Sequence, residues 1–138
     1  MFTAEEKISL SDIRFEKSKT MLDDAKKSYE AEMYKTSVNR SYYTILHVAR
    51  SLLILKGVDL LCHDGIKTML SLHFVKPQLL SQEAIKIYTN LLSMRTDVDY
   101  GDFEYISKED AKESYEEAQK FIEMIESIKK KLQEELTR

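Results

Sequence analysis

The sequence has little glycine and almost no proline. Three Gly and one Pro among 138 residues amount to about 3 %, where average usage supplies roughly 12 %. Sheet-rich folds place these residues at many tight turns, so their scarcity excludes a sandwich or barrel. It equally excludes collagen and low-complexity linkers. A lone cysteine, Cys62, cannot close an internal disulfide, which excludes a disulfide scaffold and fits a reducing compartment. Long apolar runs are missing too. The longest, residues 52–55, falls far short of the ~20 residues that span a bilayer. Residues 1–7 carry two glutamates and no apolar run, unlike a signal peptide. A net charge of −3 gives no global basic field for nucleic acid. These absences lead us to expect a soluble cytoplasmic protein that neither enters membranes nor reads DNA sequence.

What is present points to helices. Charged residues make up 33 % and hydrophobic ones 43 %, which suits long amphipathic helices and exceeds what a disordered chain offers. We expect one all-α domain over residues 1–138, an up-and-down bundle of about five helices with a sizeable core. The first helix is expected from Ser9 or Ser11 to about residue 33, with Ile13, Met21, Leu22, Ala25 and Tyr29 on its apolar side. The second should run over residues 35–56 and stop at Gly57. The third should cover residues 63–76, ended by Pro77, and the fourth residues 81–99, before Gly101. Ser107 and Asp110 resemble a capping box opening a long last helix, whose stripe is Ala111, Tyr115, Ala118, Ile122, Ile125 and Leu132. The lysines at 129–131 read as a solvated face.

The second helix is apolar almost all round, as a central helix must be. Its polar exceptions, Arg40, Tyr43, His47 and Arg50, recur at +3, +7 and +10 and form one stripe. Arginines on such a helix either pair with carboxylates or line a cleft. A second polar group closes the fourth helix: Arg95, Asp97, Asp99, Tyr100 and Asp102. Arg95 and Asp99 share a helix face and can pair with each other, or meet Arg40 and His47 across the bundle. Together the two groups are able to hold a phosphate at Arg40, Tyr43, His47, Arg95 and Asp99. His47 and Tyr100 are then candidate proton-transfer groups beside Arg95. They are equally able to form a polar network that fixes helix register. His47, His63 and His73 lack metal-ligand spacing, and no glycine-rich phosphate loop, nucleophile elbow or redox cysteine pair occurs. No metal and no cofactor are implied.

Three segments together carry a family resemblance. They are Asn39-Arg40-Ser41-Tyr42-Tyr43 continuing to His47-Val48-Ala49-Arg50-Ser51-Leu52-Leu53; His63-Asp64-Gly65-Ile66 with His73-Phe74-Val75-Lys76; and Arg95 to Asp99-Tyr100-Gly101-Asp102 with Ile106-Ser107. In this order they resemble the HEPN superfamily, in its branch of small stand-alone proteins of UPF0332-like type. The resemblance covers about residues 8–130. It implies a helical bundle that commonly forms a homodimer and is often encoded beside a minimal nucleotidyltransferase, as a toxin–antitoxin pair. It also implies metal-free RNA cleavage in many members, through an arginine followed four to six residues later by a histidine. Arg95 matches that arginine, but residues 100–102 read Tyr, Gly, Asp, and no histidine follows. We therefore expect a non-catalytic or weakly active HEPN protein that acts with a nucleotidyltransferase or binds a nucleotide or RNA phosphate. The alternatives are a metal-independent endoribonuclease using Arg40, His47, Arg95 and Tyr100, and a structural helical interaction module.

Overall fold

The computed structural model describes residues 1–100 and 105–138, and at Tyr100 the backbone. The expected boundary at Gly101, with Asp102 and the Tyr100 side chain, lies outside the described residues. Among those described there are five α-helices and no strand: α1 (Ala4–Glu30), α2 (Tyr34–Leu53), α3 (His63–Leu70), α4 (Gln82–Tyr100) and α5 (Lys108–Leu136). The all-α bundle expected from composition is the fold observed. No described helix is long and apolar enough to cross a membrane.

Local chemistry sets the helix ends. Both long outer helices begin in reciprocal capping boxes, Thr3 with Glu6 for α1 and Ser107 with Asp110 for α5, each satisfying two backbone donors that a helix start leaves free. The Thr3 box starts α1 several residues before the expected Ser9 or Ser11. A 3₁₀ turn, Ile54–Lys56, follows α2, and Gly57 closes it at φ +77°, a left-handed conformation that glycine adopts without strain. The expected third helix is not continuous. α3 passes into a π-helical turn, Ser71–Val75, closed by the Lys76 N–H donating to the Ser71 carbonyl. Pro77 follows and brings no N–H to extend it.

α2 packs against α1, α3, α4 and α5, and Tyr42, Ile45, Leu52 and Leu53 are buried in the core with Leu70, Phe74, Tyr88, Leu91, Phe121 and Ile125. Burying a side chain of this size stabilises the fold by about 1.5–3 kcal/mol. The α1–α2 contact is built differently. Ser11, Ser18 and Ala25, seven residues apart, are buried on α1, and they meet a face of α2 bearing Ser37, Ser41, Thr44, Val48 and Ser51. Small side chains let the helix backbones approach closely. Buried hydroxyls must find acceptors, and here they do: Ser11 donates to the Ser51 carbonyl at 2.6 Å and Ser37 to the Ala25 carbonyl at 2.8 Å.

Two expectations fail against this packing, one on α1 and one on α5. Ile13, expected on the apolar side of α1, is 51 % exposed, because the buried stripe is built on the small residues and Phe15. Lys129, expected on a solvated face, has a side chain only 8 % exposed. Its ammonium lies 4.7 Å from the Phe15 ring centroid and 2.9 Å from Asp12 Oδ1, which lets the chain bury its stem and keep its charge paired. A bulky residue in the seam should wedge the helices apart. Ala25→Leu is expected to lower stability by about 2–3 kcal/mol, while Ile13→Ser stays within about 0.5 kcal/mol of the parent; urea unfolding of both variants checks this.

Candidate functional site

The polar stripe of α2 lies in the gap between α1 and α4, and its members are held by different neighbours. At the α4 side the centre is Arg95. Its guanidinium sits 5.5 Å from the Tyr42 ring centroid and 5.7 Å from that of Tyr43. It donates to the Tyr43 hydroxyl at 3.2 Å and pairs with Asp99 one turn on, at 2.8 Å. Two aromatic faces and a carboxylate fix a planar cation in a way an ammonium would not reproduce. Arg40 donates to Asn39 and shares with Asp99, Lys35 and Val98 the lining of a shallow open depression of about 280 Å³. Arg95 thus joins Tyr43 of α2 to Asp99 of α4, and Asp99 in turn lines the depression that Arg40 borders.

His47 is placed otherwise. Its ring lies 6.3 Å from that of Tyr43, but the charges that act on it come from α1 and from Arg50 further along α2. Burial holds its imidazole below the ordinary value, and the charges of Lys17, Arg50 and Arg14 push the same way. Its Nδ1 is buried without a hydrogen-bond partner among the described residues. Arg50 and Arg14 converge on one oxygen, Asp59 Oδ1, at 3.1 and 3.0 Å. Partial burial works to raise the Asp59 carboxyl, but the hydrogen bond from Arg50 and the charge of Arg14 outweigh it and hold it below the usual carboxylate range.

The structure adds three residues that the stripe did not include. The Tyr42 hydroxyl is hydrogen-bonded to His63 Nδ1, and Tyr88 donates to the His63 carbonyl at 3.3 Å. His63 opens α3 and is thereby anchored by both side chain and backbone. Burial raises the Tyr42 hydroxyl far above its ordinary value and pushes Tyr88 up to about 12, so both act as neutral hydroxyls at physiological pH. Burial also lowers the His63 imidazole, helped by the charge of Arg95 and opposed by Asp64. A signal for this cluster was present in Tyr42: a tyrosine on a fully buried helix face needs a partner for its hydroxyl. Nothing in one sequence says that the partner is twenty-one residues away.

With this geometry in place, the comparisons with known proteins carry weight. The HEPN domain family model matches residues 11–128, and the chain belongs to the HEPN family. A UPF0332 protein of Thermotoga maritima is 30 % identical over 112 residues, covering 81 % of this chain and 85 % of that protein. A Methanocaldococcus jannaschii protein provisionally named a toxin is 30 % identical over 111 residues, 80 % of this chain and 82 % of that one. A UPF0332 protein of Archaeoglobus fulgidus is 26 % identical over 113 residues, 81 % of this chain and 89 % of that one.

The depressed imidazoles set a pH dependence. The native state resists a proton that unfolded His47 and His63 accept, so the unfolded chain binds more protons at acid pH. Their contribution to stability is whole above the unfolded value near 6.5 and is lost as pH falls through it toward the lower native values. Urea midpoints should decline between pH 7.5 and 5.5, and His47→Gln should flatten that decline.

Proposed function

We propose that this chain is the HEPN member of a toxin–antitoxin-type pair, acting as one domain and as a homodimer with a minimal nucleotidyltransferase partner. Its α2–α4 edge holds a phosphate of a nucleotide or of RNA. The observation that carries this reading is the mounting of Arg95 on Tyr42 and Tyr43 beside Asp99, which with Arg40 lines a depression. A guanidinium held in one plane presents its donors in the fork that a phosphate accepts. The provisional toxin names of two relatives support the biological class. The arginine of the motif is present, and residue 100 is tyrosine, whose ordinary pKa near 10 makes it a poor base; catalysis is accordingly weak or absent.

Titration calorimetry with AMP tests the phosphate site. Arg95→Gln and Arg40→Gln should each weaken binding by about tenfold or more, the scale of a lost charge-assisted hydrogen bond. Wild-type protein that does not bind AMP sinks the site. A minimal nucleotidyltransferase should be encoded beside this chain and form a complex with it on co-expression, and light scattering of the chain alone should give twice its 16.2 kDa mass.

One observation favours a second reading, a metal-independent endoribonuclease. His63 shares Tyr42 with Arg95, so an imidazole stands beside the motif arginine from a different helix. If the chain cuts RNA, His63→Gln should remove the activity and leave AMP binding intact; cleavage that persists in this variant rules out His63 as the proton carrier.

A further inference from the structure

Two arginines from different helices are forced together at the far end of the stripe. The small-residue seam draws α1 against α2, and Arg14 and Arg50 flank it on the same side. One carboxylate oxygen, Asp59 Oδ1, serves them both at 3.0 and 3.1 Å. Lys17 is close enough to act on His47 as Arg14 and Arg50 do, so three cations surround the imidazole while one carboxylate serves two of them. Asp59 does not complete the cluster. Arg14 Nη1, Arg50 Nε and His47 Nδ1 have no hydrogen-bond partner among the described residues. Buried polar groups are almost always satisfied in folded proteins, so two unsatisfied guanidinium donors beside an unpartnered imidazole nitrogen mark a place where an acceptor is missing. The guanidinium-bearing side chains keep 12 % and 17 % exposure, which leaves the cluster at the surface of the seam.

We propose that Arg14, His47 and Arg50 form a second phosphate subsite, and that the ligand of this face is a single-stranded phosphodiester chain rather than a lone nucleotide. This inference rests on the phosphate site proposed above at Arg40 and Arg95. A phosphate supplies several acceptor oxygens and the negative charge that the cluster lacks. The imidazole can turn its Nδ1 into a donor by choice of tautomer. The two subsites lie on one helix. Arg40 and Arg50 are ten residues apart, about 15 Å along the axis, or about four nucleotides of stacked strand. Between them the Tyr43 and His47 rings, 6.3 Å apart, offer the aromatic surface on which a base of such a strand stacks.

The test compares AMP with a pentanucleotide of adenylate RNA, both titrated into the full chain at fixed salt. The pentanucleotide should bind about tenfold tighter than AMP or better. Arg14→Gln and Arg50→Gln should bring that ratio close to one, whereas Arg40→Gln weakens both ligands. Each arginine lost should also lower the slope of log affinity against log salt by about 0.7. Asp59→Asn guards against variants that simply misfold. Removing the competing carboxylate should tighten the pentanucleotide several-fold, whereas a cluster that only staples the loop after Gly57 would gain nothing. An unchanged or weaker affinity in Asp59→Asn, or a wild-type ratio in Arg14→Gln and Arg50→Gln, overturns the subsite. If those two variants keep the ratio but break the complex with the nucleotidyltransferase, the cluster is a protein contact and the proposal is equally overturned. Wild-type protein that binds AMP but gains nothing from the longer strand defeats the second subsite alone; protein that binds neither defeats both sites.

Discussion

Close approach of α1 and α2 governs much of what the rest of the molecule can do. Serine, threonine and alanine line the contact, so two backbones pack with little side chain between them. Hydroxyls in that position carry their own constraint, since each needs an acceptor that does not come from solvent. Backbone carbonyls supply it, within the same helix or across the seam. The result is a rigid pair of helices against which α4 and α5 lay their apolar faces. The remaining polar stripe of α2 is then confined to one gap, with α1 on one side and α4 on the other.

That confinement explains why the stripe divides into two chemical environments. Toward α4, Arg95 is neutralised by Asp99 and wrapped by tyrosine rings. Toward α1, like charges are crowded and the carboxylate comes from a loop instead of a helix. His47 belongs to the second environment and His63 to the first. Burial is the main force that lowers each imidazole, with Lys17 and then arginine charge adding to it at His47 and Arg95 at His63.

The architecture was largely legible from composition and periodicity. A helix apolar all round, capping residues and a shortage of breakers are strong local signals, and the Ser107–Asp110 box and the Arg95–Asp99 pair lie where spacing put them. The seam was not legible, because apolar periodicity looks for large side chains and this contact uses small polar ones. The same blindness put Ile13 inside; Lys129 was put outside because a run of charge reads as solvated, whereas its ammonium pairs with Asp12 beside the Phe15 ring. In the candidate site, residues on a single helix were found because helical spacing links them. Tyr88 and His63 come from separate elements, and their meeting with Tyr42 depends on how α3 is tilted onto the bundle, which no one-dimensional pattern records.

The π-helical turn at Ser71–Val75 carries a consequence for how the chain tolerates changes of length. A π turn holds one residue more than the α-helical path it replaces. Phe74, inside it, is fully buried, and Leu80, just beyond, is nearly so; the Phe74 carbonyl accepts from the N–H groups of both Leu79 and Leu80. Losing the spare residue here would restore regular α-helical bonding with the downstream chain nearly in place, whereas the same residues wound as unbroken α-helix would bring Phe74 and the chain beyond it about 100° further round, off the core. The turn is therefore a register adjuster: a spare residue is stored in it so that the aromatic anchor and the start of α4 both arrive on the correct side.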